Sequence, residues 1–351
     1  MELNGILNGD QINVLSTVYL VFLTPSVIGS FSVLVVSTVK WRHLRQQVHL
    51  LVQLALADLL AALILISATV MNNISTVYSV AICQYSLPLS LTFYFISFLL
   101  VVVYAWKSKN ALQGWRARPA EDEGGQSQCR RKIVAIPVYA MVWLIPIAIY
   151  LAYVFTPFIK STLLIPIADR SEIVHNDTKY CNSCILFLHV WKDSCSDAEK
   201  IHDTFIRVFL FIVVIPVFLS CSVIYYKVGK WYERHQHQFL FPVEGDGRSR
   251  RRFKQGISTA RKMVMVILIC WAPALVLILL STLMIWTNIE QRSLFGLYMI
   301  QAASVSLQGF LNSMVYAWRR PNFTEAVLGE NTPLVAHEHM AFFDESLRSS
   351  S

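Results

Sequence analysis

Seven long stretches of apolar residues dominate this sequence. Each stretch is long enough, as an α-helix, to cross a hydrocarbon core roughly 30 Å thick. Backbone polar groups in lipid must be paired internally, and unbroken apolar runs of this length are typical of helices rather than of barrel strands. The runs cover residues 13–39, 48–70, 84–106, 133–155, 202–226, 263–286 and 294–318. The sequence therefore predicts an all-α membrane protein built as a seven-transmembrane helix bundle.

Composition and charge support this class and predict its orientation. The 351-residue chain is 55% hydrophobic and 15% charged, which is more apolar surface than a soluble domain of this size can bury. Most of the 30 Lys and Arg residues lie in the connectors after the first, third and fifth runs and in the C-terminal tail. Basic connectors stay in the cytosol, so the N-terminus is predicted outside and the C-terminus in the cytosol. The net charge of +8 is explained by topology and does not indicate a nucleic-acid partner.

Three regions follow from this topology. Residues 1–12 form a short extracellular N-terminus, residues 13–318 the membrane domain, and residues 319–351 a cytosolic tail that opens with a short amphipathic helix. The first run lacks the basic segment of a cleavable signal peptide, so we expect it to act as a signal anchor. The expected location is the plasma membrane, as a multi-pass protein. The connectors at 107–132 and 227–262 contain glycines and charged residues and are expected to be loops.

Four cysteines lie on the side predicted to face the oxidising exterior. Cys83 is at the outer end of the third run, and the long outer loop after the fourth run contains Cys181, Cys184 and Cys195. Four cysteines allow three pairings into two disulfides. We expect Cys83 to pair with Cys181 or Cys184.

Two Asn-x-Ser/Thr sequons face the same side, at Asn73 and Asn176. Both are therefore predicted glycosylation sites. A third sequon at Asn322 lies in the predicted cytosolic tail and is expected to remain unmodified.

Asp58 is the one acidic residue within the runs that lies away from their ends. It is about ten residues from the inner end of the second run, which places it near the bilayer centre. An ionisable group at that depth indicates a functional site by default. The alternative is a protonated carboxyl group that only bonds a neighbouring helix.

Motifs in six of the seven runs together resemble those of rhodopsin-like G-protein-coupled receptors. They occur in the family's order and are the segment 54–58 ending in Asp58, Cys83, Trp143, Pro216, the segment Cys270-Trp271-Ala272-Pro273, and the segment from Asn312 to Tyr316 with the family's proline lost. Segments 271–275, 307–312 and 316–318 also resemble the orphan family called transmembrane protein 116.

The receptor resemblance implies a site in the middle of the bundle. On the family pattern, Asp58, Ser97, Gln308 and Asn312 surround one point, where they would form either a weak sodium site or a hydrogen-bonded polar cluster. Trp271 and Pro273 would be the hinge of the sixth helix, and Asn312 with Tyr316 would form the motif of the seventh. An unknown extracellular or membrane ligand would bind in the outer half, above Tyr94 and Trp271. The cytosolic partner would be a heterotrimeric G protein that meets Arg261 and Lys262.

The sequence departs from the family where the third helix ends. The family has Asp-Arg-Tyr there, and this chain has Lys107-Ser108-Lys109. The usual latch between the third and sixth helices therefore cannot form. Either Lys107 or Lys109 substitutes for it, or coupling to G protein is altered or lost.

Three classes of function stay open on sequence alone. A receptor-like signalling protein is favoured by the ordered motifs, and a non-signalling seven-helix scaffold by the lost triplet. A small-solute transporter would need more polar residues along one path than the single buried acid. The histidines lie in loops or near the ends of the runs, so we expect no enzyme, no metal site and no cofactor beyond the weakly bound sodium ion.

Overall fold

The protein, described by a computed structural model, is a bundle of helices. The structure describes residues 7, 9–39, 48–74, 77–116, 138–155, 184–187, 206, 208, 210–236, 247–284 and 291–315. Its helices are α1 (Gly9–Val39), α2 (Val48–Ile74), α3 (Val77–Arg116), α4 (Val138–Phe155), α5 (Ile215–Gln236), α6 (Gly247–Met284), α7 (Phe295–Ser306) and α8 (Gln308–Ser313). A π-helical segment, Leu210–Val214, precedes α5, and a 3₁₀ turn, Gln291–Leu294, precedes α7.

Membrane-spanning length is reached at each predicted position but the fifth. Within the described residues, six helical stretches are long and apolar enough to cross a bilayer, and the fifth position has the shorter apolar stretch Phe211–Val223. The last stretch, Arg292–Ser313, contains both α7 and α8. The predicted seven-helix membrane bundle is confirmed.

The side chains of α1 show which solvent surrounds the bundle. Its exposed positions include Val14, Val21, Ile28 and Val35, whereas its buried positions include four serines: Ser16, Ser26, Ser30 and Ser37. A helix on the surface of a water-soluble protein has the opposite arrangement, with apolar residues inside. The outer face of α1 is therefore a lipid-facing surface, and its inner face carries the polar groups.

Helix α3 lies at the centre of the bundle and α1 at its edge. Helix α3 packs against α2, α5 and α6, while α1 packs against α2, α7 and α8. Small residues bring α1 and α8 together. A Cβ atom built on Gly309 would lie 3.0 Å from Ser30 Oγ, and one built on Gly29 would lie 3.2 Å from Ser313 Cβ. This close approach brings α8 beside Asp58 of α2.

The helices extend further toward the predicted cytosolic side than the apolar runs do. Helix α3 continues to Arg116, α5 continues to Gln236, and α6 begins at Gly247. The prediction of loops was therefore wrong for the first part of connector 107–132 and for both ends of connector 227–262. Hydropathy reports contact with lipid, whereas a helix that is already formed extends into water at little cost per residue.

Candidate functional site

The predicted polar cluster is brought together around Asp58, whose side chain is 2% exposed. Ser97 of α3 donates its hydroxyl to Asp58 Oδ1 at 2.7 Å, and Gln308 Nε2 of α8 donates to the same oxygen at 3.1 Å. Asn312 Nδ2, one turn further along α8, donates to Asp58 Oδ2 at 2.7 Å. The carboxyl group of α2 is therefore held by donors from two other helices, which offsets the cost of burying it.

Trp271 is joined to this cluster through Gln308. The Trp271 ring is 1% exposed, and its Nε1 donates to Gln308 Oε1 at 2.6 Å. An indole N–H can only donate, so Gln308 must present its oxygen to Trp271 and its amide nitrogen to Asp58. One glutamine of α8 thus connects the sixth helix to the second. Pro273 lies in the same helix two residues further on.

Three aromatic rings surround the indole of Trp271 edge-on. Tyr94 and Phe98 of α3 have ring centroids 5.4 and 4.9 Å from it. The third ring is Phe187, at 6.2 Å. Edge-to-face contacts of this kind are each worth about 0.5–1.5 kcal/mol beyond the area they bury. Trp271 is therefore fixed on three sides by rings and on a fourth by a hydrogen bond.

Phe187 belongs to a piece of the outer loop that enters the bundle. Cys184 is disulfide-bonded to Cys83 at the start of α3, with the Cα atoms 5.1 Å apart. The next three residues, Ile185, Leu186 and Phe187, are all buried. We call residues 184–187 the loop segment. The structure thus selects Cys184 from the two expected partners of Cys83; Cys181 and Cys195 lie outside the described residues.

The loop segment is also held from α1 and α7. Tyr19 Oη of α1 donates to the Leu186 carbonyl oxygen at 3.2 Å, and Gln301 Nε2 of α7 donates to Tyr19 Oη at 3.1 Å. Phe187 has φ of 68°, a left-handed conformation that costs an L-residue about 1–2 kcal/mol. The contacts of the buried ring and of the neighbouring carbonyl group offset that cost.

Ser26 of α1 interrupts the seventh span next to the polar cluster. In a continuous helix the Phe310 N–H would bond the Ser306 carbonyl. Here Phe310 N donates to Ser26 Oγ at 3.1 Å, while the Ser26 hydroxyl donates to the Ser306 carbonyl. The serine therefore inserts into the helical hydrogen-bond ladder, which is a recognised cause of a break. The break separates α7 from α8 one turn before Asn312.

The donor set fits a sodium ion only in part. A hard cation takes oxygen ligands, and Asp58, Ser97 and Asn312 provide them. Two buried oxygens nearby, Asn312 Oδ1 and Ser30 Oγ, have no hydrogen-bond partner among the described residues. Gln308 does not fit, because its oxygen is bonded to Trp271.

Comparison with known proteins assigns the chain to a family. The profile of the family Transmembrane protein 116 matches residues 12–332, which covers all of the described helices from the first turn of α1 onward. The chain belongs to the transmembrane protein 116 family. No curated protein matches the chain significantly.

In this member of the transmembrane protein 116 family, Lys107 contacts the fourth helix. Its Nζ donates to Tyr139 Oη of α4 at 2.6 Å and lies 4.3 Å from the centroid of the Tyr139 ring. Lys107 or Lys109 was predicted to substitute for the latch between the third and sixth helices, unless coupling is altered or lost. The described contacts hold it against α4 instead.

The other predicted site residues are placed as follows. Arg261 and Lys262 are partly buried in the inner half of α6, and Asn73 lies in the last turn of α2. The side chain of Lys109, and the whole of Asn176 and Tyr316, lie outside what the structure describes. Their roles stay predictions.

Three contributors to the site were missed by the sequence analysis: Tyr19, Ser26 and Phe187. Each had a signal. Tyr19 is a polar-tipped ring in an apolar run, and Ser26 precedes Gly29 and Ser30 in a small-residue pattern typical of close helix contact. Phe187 ends an apolar triplet directly after a disulfide cysteine in a polar loop. None of these signals identifies the partner, because each partner lies on a distant segment of the chain.

Proposed function

We propose that this protein is a receptor-like signalling protein of the plasma membrane. In this proposal, occupancy of the outer half of the bundle acts on Trp271, and Trp271 passes the change to the polar cluster and to the cytosolic end of α6. The observation that carries the proposal is the pair of bonds made by Gln308, which joins Trp271 on one side and Asp58 on the other. The proposal involves no catalytic step.

Bending of α6 at Pro273 would carry a change at Trp271 to the cytosolic end of the helix. The helix runs without interruption from Gly247 to Met284 and contains Pro273, which removes one backbone hydrogen bond and permits bending. Arg261 lies twelve residues before Pro273, or about 18 Å along the helix. A swing of about 10° at the proline would therefore move the inner end by roughly 3 Å. A cytosolic partner, for which a heterotrimeric G protein is our candidate, would read that displacement.

The sodium ion belongs to the same proposal. Asp58, Ser97 and Asn312 would hold it, and its binding would neutralise the carboxylate and restrain α2 against α3 and α8. The side-chain oxygen of Gln308 could bind the ion only if it gave up its hydrogen bond from Trp271 Nε1. We therefore propose weak sodium binding that competes with the Trp271–Gln308 bond.

Transducer recruitment in cells tests the proposal. The chain and two single variants, Trp271→Phe and Trp143→Phe, would be expressed at equal surface levels and assayed against each G-protein class. Trp271→Phe keeps a ring but removes the N–H donor to Gln308, while Trp143 of α4 contacts only Phe93 among the ring pairs described. We expect Trp271→Phe to lower recruitment and Trp143→Phe to leave it unchanged. Silence in every class, or equal effects of the two variants, would contradict the proposal.

A second candidate is a seven-helix scaffold that does not signal. The contact of Lys107 with Tyr139 favours it, because Lys107, which stands in the place of the lost triplet, is then bound to α4 rather than available for a cytosolic partner. The same recruitment assay separates the two candidates. Surface biotinylation of intact cells tests the plasma membrane: strong labelling of the chain supports that location, and labelling only after permeabilisation opposes it.

A further inference from the structure

The loop segment occupies the place that the proposed function assigns to a ligand. The Phe187 ring lies edge-on to Trp271, whose indole Tyr94 and Phe98 of α3 also contact edge-on. Its side chain is 2% exposed, and Leu186 is fully buried. The outer site is therefore already filled by residues of the same chain.

The contacts of the segment define what the site recognises. One contact is aromatic, between Phe187 and Trp271. The other is a hydrogen bond in which Tyr19 Oη donates to the Leu186 carbonyl. A phenolic hydroxyl has one proton, and Tyr19 Oη has two acceptors within reach of it, the Leu186 carbonyl oxygen at 3.2 Å and Gln301 Oε1 at 3.2 Å. An acyl oxygen in the place of the Leu186 carbonyl would therefore compete with Gln301 for that proton. Within the part of the chain that the structure describes, these two contacts involve no charged side chain. The site thus recognises a neutral group that carries an aryl ring and a carbonyl acceptor.

The way the segment is held indicates an occupant rather than ordinary core packing. It is attached to α3 through the disulfide of Cys184 and Cys83, and Phe187 has a left-handed backbone. A buried aromatic residue in that conformation persists only when its surroundings fix it. The segment is held by the disulfide, by one carbonyl and one ring, and by apolar packing of Ile185, Leu186 and Phe187 in the core. The disulfide stays in place, whereas a ligand can take over the carbonyl and ring contacts without breaking a helix.

We infer that Leu186 and Phe187 are a built-in occupant of a ligand site over Trp271, and that the external ligand is a neutral N-acylated aromatic compound that displaces them. In such a compound the acyl oxygen replaces the Leu186 carbonyl and the aryl ring replaces Phe187. This inference rests on the proposed function in one respect: displacement of the segment has a consequence for the protein only because it changes the contacts of Trp271. The occupancy itself is a property of the folded chain and is measured without a signalling assay.

The first experiment tests the aryl part of the site with toluene as the probe. The full chain in detergent would carry Phe187→Ala, which empties the ring position and keeps an L-residue at the left-handed backbone. Phe93→Ala is the matched control, since Phe93 packs on Trp143 of α4 instead. We expect toluene to raise the thermal midpoint of Phe187→Ala by about 2 °C at ten times its dissociation constant. The unsubstituted chain and Phe93→Ala should not respond. No response in Phe187→Ala, or an equal response in the unsubstituted chain, would overturn the inference.

The second experiment tests the whole occupant. Cys184→Ser releases the segment from α3, and N-acetylphenylalanine amide serves as the probe because its acetyl oxygen and ring reproduce the two contacts. We expect this probe, and not N-acetylleucine amide, to raise the thermal midpoint of Cys184→Ser. Adding Tyr19→Phe should abolish the response. A response that survives Tyr19→Phe would refute the carbonyl contact, and equal responses to the two amides would refute the aryl contact.

Failure of this inference and failure of the proposed function give different results. If the probes bind as expected and transducer recruitment by Phe187→Ala equals that of the unsubstituted chain, the built-in occupant is supported and the proposal that Trp271 transmits a signal is refuted. If recruitment changes and the probes do not bind, the built-in occupant is refuted and the signalling proposal is supported.

Discussion

The close approach of α1 and α8 predicts a specific cost for one glycine substitution. In Gly309→Ala the new Cβ atom would lie 3.0 Å from Ser30 Oγ and 3.3 Å from Ser26 Cβ, closer than the roughly 3.5–4.0 Å of ordinary contacts. The two helices must then separate by a few tenths of an ångström. Overpacking of this kind typically costs about 1–3 kcal/mol.

A second glycine provides the matched control. Gly296 is the second residue of α7, as Gly309 is of α8, and a Cβ built on Gly296 meets no atom within 4 Å. Alanine gains helix propensity at both positions, at most about 1 kcal/mol, so the gain cancels in the comparison. We expect Gly309→Ala to be less stable than Gly296→Ala by about 1–3 kcal/mol, which corresponds to about 1–4 °C in the thermal midpoint of a chain of this length.

The chain contains its own reporters for this measurement. Cys221 and Cys270 are buried free thiols, so a fluorogenic maleimide will report their exposure on heating in detergent. Ser30→Ala removes the nearest atom and should restore part of the stability lost in Gly309→Ala. Equal midpoints for Gly309→Ala and Gly296→Ala would refute the close approach. An unchanged cost in the Ser30→Ala background would show that Ser30 is not the neighbour that limits it.

Three further predictions are tested by the same thermal measurement. Cys83→Ser should lower the thermal midpoint by more than Cys221→Ala does, because it releases the loop segment. Equal effects of the two substitutions would refute the role of the disulfide. Ser26→Ala should destabilise by about 1–2 kcal/mol, since it leaves the Phe310 N–H and the Ser306 carbonyl unpaired; no loss would mean that the break closes into a continuous helix. Tyr139→Phe should cost less than Lys107→Ala, because it keeps the ring under the ammonium group; the reverse order would show that the hydroxyl contact dominates.

The spans could be predicted because lipid imposes one strong rule. Every backbone group in a bilayer must be paired, so a long apolar run has to be a helix. The same rule is silent outside the bilayer, which is why the polar ends of α3, α5 and α6 were predicted as loops. Their helical state follows from continuation of a formed helix, and hydropathy does not report it.

The polar cluster could be predicted only as a set of residues. A carboxyl at mid-membrane depth requires partners, and the order of the motifs indicated Ser97, Gln308 and Asn312. The direction of each bond needed the structure. In the sodium alternative Gln308 would offer its oxygen to a cation. In the structure the donor Trp271 takes that oxygen, and the amide nitrogen of Gln308 faces Asp58.

The break in the seventh span shows a different limit. The sequence lacks the family's proline at Ser313. The structure breaks the span one turn earlier through the hydroxyl of Ser26 on another helix. A backbone bond replaced by a side chain 280 residues away has no local sequence signature.

The central claim is that Trp271 and Gln308 act as one unit between the outer site and Asp58. The most direct test is a double-mutant cycle in the recruitment assay, with Trp271→Phe, Gln308→Met and the double variant at equal surface level. If the hydrogen bond carries the signal, the double variant will recruit no less than the weaker of the two single variants. If the two losses instead multiply as independent effects do, Trp271 and Gln308 do not transmit through each other and the account is contradicted.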